Sequence, residues 1–189
     1  ILHTARPKKA DEAEALERIK TFHSELTVKR GVPVELFMFD DPWDNVSGTA
    51  TDVWQFDPKR NPHEWRVMNE VAKKHDASLG VWISPQGGWG GREVRVATAQ
   101  KNNLPYVIKD KAFSLSDPPY LARFRAVCFD FIRNQGVCMF KFDGFNEKPE
   151  NESEREALVQ LIEDMRKEKP DVFINTTCGA WPSPDDANP

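Results

Sequence analysis

The chain has 189 residues, 39% of them hydrophobic and 30% charged, and carries a formal net charge of -4. That length suits one domain or part of a larger one, and the acidic balance without a Lys/Arg-rich tract argues against a nucleic-acid partner. The longest apolar run, Val34–Phe39, falls far short of the roughly 18 residues of a membrane-spanning helix, which argues against a membrane protein.

In chain order, Leu16, Ile19, Phe22 and Leu26 recur at helical spacing and predict a helix from Asp11 to about Lys29, stopped by Gly31. The nearly continuous apolar run Pro33–Phe39 then predicts a strand over 34–40, buried on both faces. A helix follows from Pro62 to about Ala77, with Trp65, Met68 and Ala72 on one face. A second strand spans 79–84 and leads into the glycine-rich stretch Gln86–Gly91, read as a flexible rim loop. A short helix is expected near Glu93–Asn102, then brief extended pieces at Tyr106–Ile108 and Phe113–Leu115. Asp117 before Pro118 and Pro119 marks the start of a helix that runs to Asn134 and is ended by Gly136. A third strand covers 137–143, an amphipathic helix Glu152–Lys169, and a fourth strand 172–177.

Strict alternation of helices with buried strands predicts a parallel α/β sheet. No GxGxxG or GxxxxGK[ST] follows any strand, so nucleotide binding has no support. The loops after the strands instead hold Asp, Trp, Lys, Cys and Asn. In a (β/α)8 barrel that is the face where chemistry is done. A whole barrel needs about 250 residues and eight strands. The sequence is therefore read as a partial TIM barrel: about four parallel strands with helices outside, residues 1–189 forming a piece of a single barrel domain.

Lys141 and Asp143 stand two apart on the third strand, so their side chains share a face at its C-terminal end. They form either a structural ion pair or a nucleophilic carboxylate with a cation that favours its anionic form. Asp40-Asp41 closes the first strand. Adjacent carboxylates there can bind vicinal sugar hydroxyls, hold a metal, or cap a turn before Pro42. Trp43, Trp54, Trp82, Trp89 and Trp181 fall in or beside these loops, and their faces suit either packing or stacking on sugar C–H surfaces. His3, His23, His63 and His75 lie in a tail or in helices, and neither HExxH nor His-x-His occurs, which argues against zinc. Cys128, Cys138 and Cys178 make no disulfide framework and no CxxC pair.

Five elements occur in order: Phe39–Trp43 (FDDPW), Phe56–Pro62 (FDPKRNP), Leu79–Trp82 (LGVW), Lys141–Gly144 (KFDG) and Cys178–Pro182 (CGAWP). Together they resemble the retaining α-galactosidases and α-N-acetylgalactosaminidases of the glycoside hydrolase clan that contains families 27 and 36. The resemblance implies a (β/α)8 catalytic domain, of which the chain supplies strands two to five of the eight. It implies Asp143 as nucleophile, and Asp40, Asp41, Trp43, Trp82, Lys141, Cys178 and Trp181 as substrate contacts. It implies no metal and no organic cofactor, an oligosaccharide or glycoconjugate substrate, and the rest of the barrel as the chain's partner. Gly179-Ala180 departs from the side chain that many relatives place against the sugar's second carbon, so galactose and N-acetylgalactosamine both stay open. The acid/base carboxylate would come from strand six; Asp185 and Asp186 are poor substitutes, and the piece alone is expected to be inactive. A non-catalytic sugar-binding relative of the barrel is the alternative. The compartment is not fixed by the sequence, although a secreted or periplasmic one is compatible with such substrates.

Overall fold

The structure, a computed structural model, describes residues 11–145 and 152–177. Helix α1 (Glu12–Phe22) starts at Asp11, whose side chain accepts the Glu14 backbone N–H at 2.8 Å. The helical path continues to the expected end, but residues His23–Val28 are π-wound and bury no side chain. Strand β1 (Leu36–Phe39) is half-buried along its length, where the sequence suggested burial on both faces. It lies at an edge of the sheet, so it has a neighbour on one side only.

Helix α2 (Arg66–Lys73) begins later than Pro62. Glu64 adopts a positive φ of 56°, which a continuing right-handed helix does not allow, so residues 62–65 form turns instead. Trp65, Met68 and Ala72 face inward as their spacing predicts. Strand β2 (Ser78–Ile83) and helix α3 (Arg92–Lys101) match their expected ranges closely. The two extended pieces form a small hairpin, β3 (Ile108–Lys109) with β4 (Ala112–Phe113). Asp110 and Lys111 both take positive φ at its turn, as a two-residue hairpin of this hand requires.

Helix α4 (Pro118–Arg133) is capped by Asp117, whose carboxylate accepts the Tyr120 N–H. Gly136, at φ +71°, turns the chain into β5 (Val137–Asp143). A Cβ there would fall 2.0 Å from the Asn69 side chain, so the turn needs glycine both for its hand and for its space. Helix α5 (Glu152–Glu168) and strand β6 (Phe173–Thr177) complete the described residues.

The four long strands form one sheet in the order β1-β2-β5-β6, with every neighbouring pair parallel. The order never reverses, which is the winding of a barrel rather than of a doubly wound sheet. One face of the sheet carries the helices: Phe37 meets Phe22 of α1, Phe39 meets Trp65 beside α2, and Phe140 and Phe142 meet Phe131 and Phe124 of α4. The other face belongs to the alternate residues. A Cβ on Gly80 would lie 3.2 Å from Met139 and 3.4 Å from Met38, so these three meet there. The arrangement is an α/β partial barrel, with four parallel strands and helices on the outside.

Candidate active site

Two residues further along each strand, the inner-face row Met38, Gly80 and Met139 becomes Asp40, Trp82 and Lys141. Trp82 is paired in register with Lys141, and the next inner-face position of β5 is Asp143. The residues that the sequence placed at strand ends are thus brought together by strand parity and register. Lys141 Nζ lies 3.5 Å from Asp40 Oδ2 and 3.8 Å from Asp143 Oδ2. Trp82 Nε1 donates to Asp143 Oδ2 at 2.9 Å, and the Gly144 backbone N–H donates to Asp143 Oδ1 at 2.8 Å. Asp40 Oδ1 accepts the Asp41 N–H at 2.8 Å. Both oxygens of Asp143 are therefore oriented by fixed donors. The side chains of Asp40, Lys141 and Asp143 keep 31%, 15% and 14% of their exposure, so the group is recessed yet open to a ligand.

Asp41 is placed differently from Asp40. Its Oδ1 accepts Arg95 Nη2 at 2.6 Å. Arg95 is buried and also grips Asp44 through Nη2 and Nε at 2.6 and 2.7 Å. Its Nη1 donates to the Gly87 carbonyl at 2.8 Å, and its guanidinium stands 4.1 Å from the centroid of the Trp54 ring. Burial raises the Asp41 carboxyl above the ordinary aspartate range. The Arg95 charge and hydrogen bond oppose that shift, and the nearby carboxylates of Asp44 and Asp40 add to it. Burial by itself would weaken protonation of Arg95, but the hydrogen bonds and charges of Asp44 and Asp41 outweigh it and leave the guanidinium firmly cationic.

The tryptophans divide by environment. Trp43, expected beside the ligand, is instead buried among Trp54, Phe56, Trp65 and Phe131, and its Nε1 donates to the Trp82 carbonyl at 2.7 Å. The chain folds back over it, and the bulk of its ring is core. Trp82 is also buried, and its Nε1 meets Asp143 at the site. Among the described tryptophans Trp89 is the exposed one, at 64%. Cys178 and Trp181 lie outside the described residues, as do Asp185 and Asp186.

The glycine-rich loop is fastened rather than slack. Arg95 Nη1 holds the Gly87 carbonyl and Arg92 Nε holds that of Gly88 at 2.5 Å. A Cβ on Gly88 would come within 2.5 Å of the Trp82 ring, so the loop can lie this close only as glycine. Arg95 was not singled out in the sequence. The available signal was weak: the inward positions of α3 are Arg95, Thr98 and Ala99, an unusually polar inner face.

Among the described residues no group of three or more His, Cys, Asp or Glu could hold a metal ion, and no helix is long and apolar enough to cross a membrane. A cavity of about 710 Å³ opens elsewhere, between the segment after β1 and α4, and none of Asp40, Lys141 or Asp143 lines it.

No protein-family model matches the sequence, and no curated protein matches it. Solved structures do. An α-galactosidase from Thermus thermophilus, in complex with p-nitrophenyl α-D-galactopyranoside, aligns over 90% of this chain and 38% of its own, at 14% identity and a TM-score of 0.61. An α-galactosidase from Lactobacillus brevis aligns over 91% and 27%, at 13% identity and a TM-score of 0.61. A GH36 α-galactosidase from Geobacillus stearothermophilus, in complex with raffinose, aligns over 87% and 25%, at 10% identity and a TM-score of 0.59. The chain thus shares its fold with part of these structures and spans about a quarter to two fifths of their length.

Proposed function

We propose that this chain is part of the barrel of a retaining, α-galactosidase-like glycoside hydrolase, contributing strands two to five of eight, with Asp143 as nucleophile. The observation that carries the reading is the convergence of Asp40, Lys141 and Asp143 at the C-terminal ends of parallel strands, with Asp143 oriented by Trp82 Nε1 and Gly144 N. An ion pair that served only to close a barrel would not need a carboxylate held on both oxygens and left partly open.

In this reading an Asp143 oxygen attacks the anomeric carbon and forms a glycosyl ester. The glycosidic C–O bond breaks, and the leaving oxygen takes a proton from a second carboxyl, which retaining enzymes keep about 5–5.5 Å from the nucleophile. Water, deprotonated by that same group, then attacks the anomeric carbon and releases Asp143. The second carboxyl would come from strand six. Lys141 donates to a sugar hydroxyl while staying beside Asp143, and Asp40 accepts from a hydroxyl. Asp41, fixed on Arg95, would present its other oxygen. Cys178 and Trp181 are proposed as further contacts to a terminal galactose or N-acetylgalactosamine.

The test is nitrophenol release from a nitrophenyl α-galactoside by the complete barrel, wild type against Asp143→Asn. The amide is nearly isosteric and cannot form the ester, so turnover should vanish while sugar binding persists. Near-normal turnover by the Asn variant would remove Asp143 from the reaction.

A further inference from the structure

We propose that Trp89 is the sugar-ring platform of this site and sets its preference for a pyranose with an axial 4-oxygen. The inference rests on the glycosidase reading above and adds a residue that neither the motifs nor that reading supplies.

Four of the described tryptophans, Trp43, Trp54, Trp65 and Trp82, are at most 3% exposed, whereas Trp89 is 64% exposed. Its position is nevertheless determined. The loop beneath it is held by Arg95 Nη1 on the Gly87 carbonyl and Arg92 Nε on the Gly88 carbonyl. A Cβ at Gly88 would strike Trp82, and one at Gly91 would lie 2.8 Å from Arg95, so the base of the loop packs directly on the residues that orient Asp143 and Asp41. The indole reaches back over the candidate nucleophile's neighbour. Trp89 Nε1 is 3.3 Å, and Cε2 3.5 Å, from the place a Gly144 Cβ would take. Gly144, at φ +69°, has no side chain to push the indole away. Arg92 Cζ stands 5.5 Å from the ring centroid in a cation–π contact, and the residue as a whole stays 64% exposed.

An aromatic face displayed on a pinned loop beside a recessed carboxylate and ammonium matches the chemistry of a sugar. Polar groups below take the hydroxyls, and the ring takes the C–H bonds. In a galactopyranose the axial 4-oxygen leaves the hydrogens of carbons 3, 4 and 5 together on one face. In a glucopyranose the equatorial 4-oxygen splits that patch. Stacking on Trp89 therefore favours the galacto configuration.

The test titrates the complete barrel with methyl α-galactoside and methyl α-glucoside by calorimetry, as wild type, Trp89→Ala, Trp89→Phe and Asp40→Ala. We expect Trp89→Ala to weaken galactoside binding about tenfold, the scale of one lost aromatic contact, and to erase most of the preference over glucoside. Trp89→Phe should retain most of both. Galactoside should also shield from iodide a component of tryptophan fluorescence that is missing in Trp89→Phe. If Trp89→Ala keeps affinity and preference while Asp40→Ala loses binding, the platform is wrong and the sugar site stands. If the wild-type complete barrel binds neither sugar, the platform and the glycosidase reading fall together.

Discussion

The indole N–H of Trp82 donates a 2.9 Å hydrogen bond to Oδ2 of Asp143, joining the inner faces of the adjacent strands β2 and β5. Trp82 is buried and its carbonyl is in turn held by Trp43 Nε1 at 2.7 Å, so the donor has little freedom. A hydrogen bond to a charged group contributes about 1.5–3 kcal/mol. Trp82→Phe keeps an aromatic ring but removes the donor. We expect turnover of a nitrophenyl α-galactoside by the complete barrel to fall roughly ten- to hundredfold, with the fold intact by circular dichroism. Unchanged turnover would show that this bond does not position Asp143 for reaction.

Arg95 and Asp44 form an ion pair whose side chains are each 1% exposed. Removing one member leaves the other charge buried and unpaired, which costs about 3–5 kcal/mol. Arg95→Met should therefore lower the denaturation midpoint strongly, and it should also release the Gly87 carbonyl and Asp41. Adding Asp44→Leu should restore part of the loss, because the stranded carboxylate is gone. A single variant within about 1 kcal/mol of wild type in urea unfolding would contradict this account of the pair.

At the surface, Asp164 of α5 is held by Lys167 and by Arg125 of α4, and its carboxyl drops from 3.8 to about 2. The cause is the hydrogen bond from Lys167 first, then that from Arg125. A lowered carboxyl is ionised more readily in the folded chain than in the unfolded one. Its stabilising contribution is complete above the unfolded value of 3.8 and disappears as pH falls through about 2. Carbon-detected NMR titration should place the Asp164 midpoint near the lower value, and Arg125→Ala should move it up. A midpoint that ignores the loss of Arg125 would mean that the α4–α5 contact is not maintained in solution.

The strands were legible where both faces are buried. β2 and β5 read as apolar runs because helices cover one side and inner-face residues the other. The recessed grouping of Lys141 and Asp143 was legible too, because parity on a strand fixes which side chains share a face. The roles of the tryptophans were not. Nothing local separates Trp43, enclosed by four aromatic rings, from Trp89, which is exposed on its loop. Arg95 was hidden for a similar reason: an arginine on a short helix reads as a solvated side chain until Asp44, 51 positions earlier, is brought against it.

The most direct test of the central claim is covalent trapping. The complete barrel would be incubated with a fluorinated α-galactosyl fluoride that slows release of the glycosyl enzyme, then digested and mapped by mass spectrometry. A sugar-sized mass increase on the peptide that contains Asp143, absent from the Asp143→Asn variant, is the predicted result. A label on another carboxylate, with the Asp143 peptide unmodified, would contradict it and leave Asp143 and Lys141 as a structural ion pair.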